Sequence, residues 1–192
     1  MSTATKADLD VLSKAGISDI YDLRSSAVAK ADPDPKIGKA GNQLINLYAS
    51  TNPKAPTSSV KAAREHSKEQ NRLFVTDRGR RLALSKLLKS FATDSGPVIV
   101  HCTEGQDRTG WVAAVLQLAA GASEKDVITQ YLLSAEYRAQ EIEDKYTADK
   151  KAHGTDYANV ERAYNEVDKS YLQAGLDEMQ KRYGGIDGSL RD

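Results

Sequence analysis

The sequence predicts an α/β protein: a central, mostly parallel sheet flanked by helices, with a helical C-terminal half. Short apolar runs alternate with helix-patterned segments up to about residue 120, the order expected of crossover-linked parallel strands. From residue 135 to 183 the chain is charged, rich in tyrosine and poor in interior glycine, so helices are expected there. At 192 residues the length suits a single domain, 1–192, with a sizeable core.

The elements follow in order. Thr5 and Asp8 form a capping-box pair for a helix over residues 5–15, with Leu9 and Leu12 on one face and Gly16 at its end. Residues 17–23 are strand-like and finish in Asp22-Leu23-Arg24. Four of the five prolines (Pro33, Pro35, Pro53, Pro56) mark long loops around a short strand over residues 44–48. A polar helix is expected over 60–71 and a clearer one over 77–91, with Leu82, Leu84, Leu87, Leu88 and Phe91 as its apolar side and Asp77 as its N-cap. Asp94-Ser95-Gly96 turns the chain into a buried strand over 97–100. Residues 111–120 are apolar nearly all round and predict a buried helix. Ser123 and Asp126 cap a helix carrying Val127, Ile128, Tyr131 and Leu132, and Gly184-Gly185 closes the helical stretch that begins at Ala135.

Composition excludes several classes. The 27 Lys+Arg balance the 27 Asp+Glu, so nothing global steers the chain to nucleic acid or holds it on an anionic membrane. Residues 60–91 hold nine Lys/Arg, a run read as a solvated helix face or the border of an acidic substrate site. One cysteine excludes an internal disulfide. The N-terminal residues carry no apolar run, and no segment approaches the ~18–20 apolar residues of a membrane span. A cytoplasmic protein is expected. There is no metal-ligand spacing, and His66 and His153 read as isolated surface residues; no cofactor is expected.

The segment His101-Cys102-Thr103-Glu104-Gly105-Gln106-Asp107-Arg108-Thr109-Gly110 carries the chemistry. It places the only cysteine between a strand and a helix start, with an arginine six residues on. Cys102 attacks phosphorus only as a thiolate, and a helix N-terminus and a nearby cation stabilise that form. Backbone N–H groups from Thr103 through Glu104, Gly105, Gln106 and Asp107 to Arg108 can turn inward as an anion nest, and Gly105 gives the turn its freedom. Arg108 supplies a planar fork for two phosphoryl oxygens. Thr109 can donate its hydroxyl to the sulfur, and His101 orients the cysteine through backbone contacts. Asp107 is the nearest acid for a leaving group; its alternatives are a pair with a lysine or a turn cap. The implied reaction is two-step phosphomonoester hydrolysis through a cysteinyl-phosphate. In parallel sheets the site lies at the carboxyl ends of the strands, which puts Asp22 and Arg24 on the same edge, as an outer contact of the site or a structural Asp–Arg pair.

His-Cys-x-x-Gly-x-x-Arg-Thr-Gly resembles the signature of cysteine-dependent protein tyrosine phosphatases. Ala15-Gly16-Ile17, the run from Ile20 to Ser25, Pro33-Asp34-Pro35, Gly96-Pro97, Tyr131-Leu132-Leu133-Ser134 and Arg182-Tyr183-Gly184 narrow the resemblance to the bacterial tyrosine and lipid phosphatases. The resemblance implies a phosphotyrosine-phosphatase-like fold, Cys102 as nucleophile, Arg108 as phosphate clamp, Asp107 as general acid in place of a remote aspartate such as Asp77, and a helical lid within 135–168. Two departures from the family pattern stand out, the first bearing on substrate and the second on the extent of the sheet. Relatives commonly carry Ala and Lys where this chain has Glu104 and Gln106, which makes the loop less attractive to multiply phosphorylated inositol lipids. An N-terminal strand segment found in relatives has no counterpart here. Phosphotyrosine proteins or small aryl phosphates are the expected substrates; a phosphoinositide phosphatase and a non-catalytic phospho-ligand module are the alternatives.

Overall fold

The computed structural model describes residue 1, residues 4–48 and residues 58–191. The chain forms two compact units, Met1–Asn52 with Arg78–Thr109, and Pro53–Asp77 with Gly110–Asp192.

The first unit holds the sheet. Helix α1 (Lys6–Lys14) starts at the Thr5/Asp8 capping box, each partner satisfying the other's backbone N–H. Strand β1 (Asp19–Asp22) is central, and β2 (Gly41–Leu44) and β3 (Val98–His101) pair with it in parallel, in the order β2-β1-β3. The fold class is therefore as the alternating pattern predicts. A short helix, α2 (Ser26–Ala31), follows β1; its N-cap Ser25 accepts from the Val28 N–H. The sequence reading missed α2, because six residues leave no room for a recognisable apolar face.

The second strand is displaced from its expected place. Residues 44–48 look like a strand because Ile45 and Leu47 are apolar, and both are buried, but the ladder runs through Gly41, Asn42, Gln43 and Leu44, overlapping the expected strand only at Leu44. An edge strand needs only backbone pairing, whereas burial of Ile45 and Leu47 comes just past its end. Strand β3 is also half-buried along Val98–Val100 rather than fully buried. Helix α4 (Arg78–Phe91) buries Leu87 and, unexpectedly, Arg80, while Leu82 is 59% exposed. Tyr21 of β1 meets Phe91 edge-on at 5.1 Å and donates its hydroxyl to Asp94 at 2.8 Å, which fixes the end of α4 and the turn into β3.

The second unit is helical. Helix α3 (Val60–Thr76) starts where expected but runs five residues beyond 71, and Asp77, its C-cap, also directly precedes α4 in extended conformation, the position expected of it at the head of that helix. Helix α5 (Asp107–Ala119) begins before residue 111, so its first turn lies in the first unit. Trp111, Val112, Ala114 and Val115 are buried as expected, but Leu116 is 40% exposed. Helix α6 (Glu124–Tyr137) has its Ser123/Asp126 cap, and α7 (Ala139–His153), α8 (Thr155–Asn165), α9 (Lys169–Tyr183) and the one-turn α10 (Ile186–Ser189) complete the chain. Gly184 ends α9 in the left-handed conformation. Helix α3 packs on α8 and α9, and α7 lies on α8 with none of its own residues buried. Residues 135–168 thus comprise the end of α6 together with α7 and α8. His66 is half-buried with its ring edge-on to Tyr164, 5.8 Å away, rather than isolated at the surface. Within the basic run Arg64 pairs with Glu166, Lys68 with Glu65, and Arg72 with Glu69. Among the described residues no helix is long and apolar enough to cross a membrane.

One close approach decides the packing of α9. A Cβ on Gly175 would stand 2.6 Å from the Trp111 ring and 3.0 Å from the Asn71 carbonyl oxygen. Trp111 is itself 2% exposed and stacked on Phe74, so it cannot yield without disturbing a second aromatic. Gly175→Ala is expected to destabilise the protein by about 1–3 kcal/mol in urea unfolding, against the small gain that alanine brings to an open helix.

Candidate active site

The carboxyl ends of β1 and β3 lie side by side. Asp22 pairs in register with His101, and the Leu23 N–H donates to the His101 carbonyl at 2.8 Å. This register delivers Cys102 and Arg24 to one edge of the sheet, the edge where an α/β site is expected.

Cys102 follows β3 directly and is 5% exposed. The chain then turns through Thr103, Glu104, Gly105 and Gln106 into α5, whose first residue is Asp107. Gly105 takes φ +73°, a conformation that side chains rarely adopt, so the turn itself requires glycine. Asp107 in the first turn complements the positive helix end. Its Oδ1 is buried. Thr109 Oγ1 is also buried, with no hydrogen-bond partner among the described residues. Glu104 and Gln106 differ in placement: Glu104 is exposed, whereas Gln106 is 2% exposed and its amide is turned inward.

Arg108 folds back across this turn. Its Nη2 donates to Thr103 Oγ1 at 3.1 Å and its Nη1 to the Leu23 carbonyl at 3.5 Å, tying the helix start to the beginning of the loop and to the residue after β1. Its guanidinium carbon also lies 4.6 Å from the centre of the Tyr48 ring. Arg80 occupies another position at the same ring, again 4.6 Å from its centre. One aromatic ring therefore orients two guanidinium groups, each by attraction to its π-electrons. Burial raises the Tyr48 hydroxyl above its ordinary range, and the negative charge of Asp107 adds to that, so the phenol stays neutral beside the loop. Neither Tyr48 nor Arg80 was visible as a site residue in the sequence. Arg80 lay in a helix whose leucines dominated the pattern, and Tyr48 read as the end of a strand.

Beneath the loop, Asp22, Arg24, Asp34 and His101 come together. Arg24 donates Nε to Asp22 Oδ1 at 2.9 Å and Nη2 to Asp22 Oδ2 at 2.8 Å, and Nη2 also donates to Asp34 Oδ1 at 3.0 Å. The Arg24, Asp22 and Asp34 side chains are 2%, 4% and 1% exposed. Asp22, Asp34 and His101 offer ligand atoms within 4.8 Å of one another, the spacing of a metal centre, but the Arg24 guanidinium holds both carboxylates. That donor set suits a buried ion-pair network better than a cation. Arg24 is turned into this network, not toward the loop mouth.

Burial by itself would raise the Asp22 carboxyl, but the hydrogen bonds and charge of Arg24 outweigh it and hold it below its ordinary 3.8. A carboxylate lowered on folding adds stability above its unfolded value and loses it as pH falls through the folded one. Arg24→Gln is expected to cost about 3–5 kcal/mol near pH 7 by urea unfolding, since it strands buried carboxylates. The deficit should shrink as pH falls through the carboxylate range, because burial without Arg24 makes Asp22 take up a proton in the variant at a higher pH than in the wild type.

The whole chain, residues 1–192, matches the sequence profile described as the tyrosine phosphatase family. A protein of Cupriavidus necator provisionally named as a tyrosine-protein phosphatase is 35% identical over 96 residues, covering 50% of this chain and 34% of its own. A tyrosine-protein phosphatase of Nostoc commune is 27% identical over 210 residues, covering 97% of this chain and 65% of its own. The triple specificity protein phosphatase PtpB of Mycobacterium tuberculosis is 25% identical over 228 residues, covering 100% of this chain and 82% of its own. The chain thus spans only 34% and 65% of the first two relatives.

Proposed function

Because the chain belongs to the tyrosine phosphatase family, we propose that it hydrolyses phosphotyrosine or small aryl phosphates through a cysteinyl-phosphate intermediate. The observation that carries this reading is the loop: Cys102 buried at the end of β3, and Arg108 returning from the first turn of α5 to bond Thr103 across the turn.

In the first step Cys102 Sγ attacks phosphorus while the bond to the leaving oxygen breaks. Asp107 hands its carboxyl proton to that oxygen. Arg108 places its fork on two phosphoryl oxygens, and the inward N–H groups of residues 103–108 take the remaining charge. Thr109, with its buried and unpartnered Oγ1, is the hydroxyl assigned to the sulfur. In the second step water attacks the cysteinyl-phosphate, Asp107 as carboxylate accepts its proton, and the S–P bond breaks to release phosphate and the thiolate.

Substrate preference rests on charge at the loop. Glu104 is exposed and adds a negative charge there, and the buried Gln106 adds no positive one. Both features disfavour polyanionic inositol phosphates relative to a singly phosphorylated aryl group. The test is turnover by the reduced protein of p-nitrophenyl phosphate, phenyl phosphate, a phosphotyrosine peptide and a phosphoinositide. Preference for the phosphoinositide would overturn the aryl assignment, and no turnover of any would leave a phospho-ligand binding module. Asp107→Asn is expected to slow phenyl phosphate, a poor leaving group, by about 10²–10⁴-fold and p-nitrophenyl phosphate much less. Equal losses on both would remove Asp107 from the acid role.

A further inference from the structure

The carbonyl of Cys102 is held by the same buried network. His101 Nδ1 lies 3.0 Å from the Cys102 carbonyl oxygen, and His101 Nε2 lies 2.8 Å from Asp34 Oδ2. A carbonyl oxygen only accepts, so Nδ1 carries a proton toward it. Asp34 Oδ1 accepts from Arg24, and Oδ2, the other oxygen of the same carboxylate, faces Nε2. Two acceptors cannot bond each other, so a second proton lies between Nε2 and Oδ2.

We propose that Asp34 is a positioning residue for the nucleophile loop: through this second proton it locks His101 with Nδ1–H on the Cys102 carbonyl. A trans peptide points its N–H opposite to its C=O, and no cis bond occurs among the described residues. Fixing the carbonyl therefore fixes the Thr103 N–H on the other side, the first donor of the anion nest. The inference rests on the reading of Cys102 as nucleophile.

The platform is rigid for reasons written in the chain. Pro33 and Pro35 flank Asp34, and a residue before proline is excluded from the helical region. Arg24 holds Asp34 from one side and Asp22 from the other. Among the described residues, charged groups near the pair include Asp32, 3.4 Å from Arg24, and the amino group of Met1, 3.7 Å from Asp34 Oδ1. With the Asp34 side chain 1% exposed, water competes little for the shared proton.

Asp34→Asn is the discriminating variant. Its amide oxygen keeps the bond from Arg24, so its NH₂ faces Nε2, and the ring then retains only the proton on Nδ1. The experiment is ¹⁵N NMR of the His101 ring, assigned against His101→Gln, together with p-nitrophenyl phosphate kinetics and thermal unfolding. In the wild type both ring nitrogens should read as protonated, and in Asp34→Asn only Nδ1. Asp34→Ala should lose about tenfold to a hundredfold in kcat with KM little changed, while Asp34→Asn, which still holds the ring, keeps about a third or more of wild-type kcat. An unprotonated Nε2 in the wild type overturns the proposal. So does an Asp34→Asn spectrum identical to wild type, or an Asp34→Ala variant that is less stable but turns over within about twofold of wild type. If Asp34→Ala does not fold, the Asp34→Asn spectrum and kcat decide. A reduced wild type that turns over nothing would sink the proposed activity instead, and the ¹⁵N spectrum would still read the Asp34–His101 proton.

Discussion

Cys102→Ser is expected to eliminate turnover of p-nitrophenyl phosphate, a loss of at least about 10⁴-fold, while the variant should still bind inorganic phosphate. A serine hydroxyl is close in size to the thiol and fits a position that is 5% exposed, so the loop and Arg108 should keep their places. What is lost is the nucleophile. Among the described residues no base is bonded to that position to deprotonate an alcohol, whereas a thiol ionises readily beside a helix N-terminus. Steady-state assays and phosphate titration by calorimetry separate the two effects. Residual turnover near the wild-type rate would place the nucleophile elsewhere.

Arg108→Lys is expected to remove binding as well as turnover, with kcat/KM falling about 10²–10³-fold. Arg108 reaches Thr103 and Leu23 at once and lies 4.6 Å over Tyr48. An ammonium can keep the charge but cannot bond in two directions within one plane. The lysine variant should therefore fail in phosphate titration where Cys102→Ser succeeds. Wild-type affinity in Arg108→Lys would remove the arginine from the clamp.

Local features were the most legible. The Thr5/Asp8 and Ser123/Asp126 caps, the start of α3 next to its N-cap Ser59, and the glycine after α9 were readable because each depends on residues within one turn. The segment from His101 to Gly110 was legible for the same reason: its cysteine, glycine turn, arginine and helix start lie next to one another in the chain. Strand β2 was misplaced because pairing at a sheet edge is made by backbone, which apolar side chains do not report. The apolar side of α4 was misread at Arg80 and Leu82, since the site that buries Arg80 includes a ring 32 positions away in sequence, from Tyr48.

The chain by itself determined that a thiol, an arginine and a helix N-terminus meet in one short loop, because covalent neighbours cannot be separated by folding. Only the tertiary structure decided which groups hold that loop. The parallel register of β1 against β3 sets Asp22 beside His101, and the turn around Pro33 and Pro35 brings Asp34 to the imidazole. Tyr48 reaches Arg108 and Arg80 in the same way. These partners are distant in sequence, and their side chains are useful there only because burial removes the water that would otherwise compete for every one of those bonds.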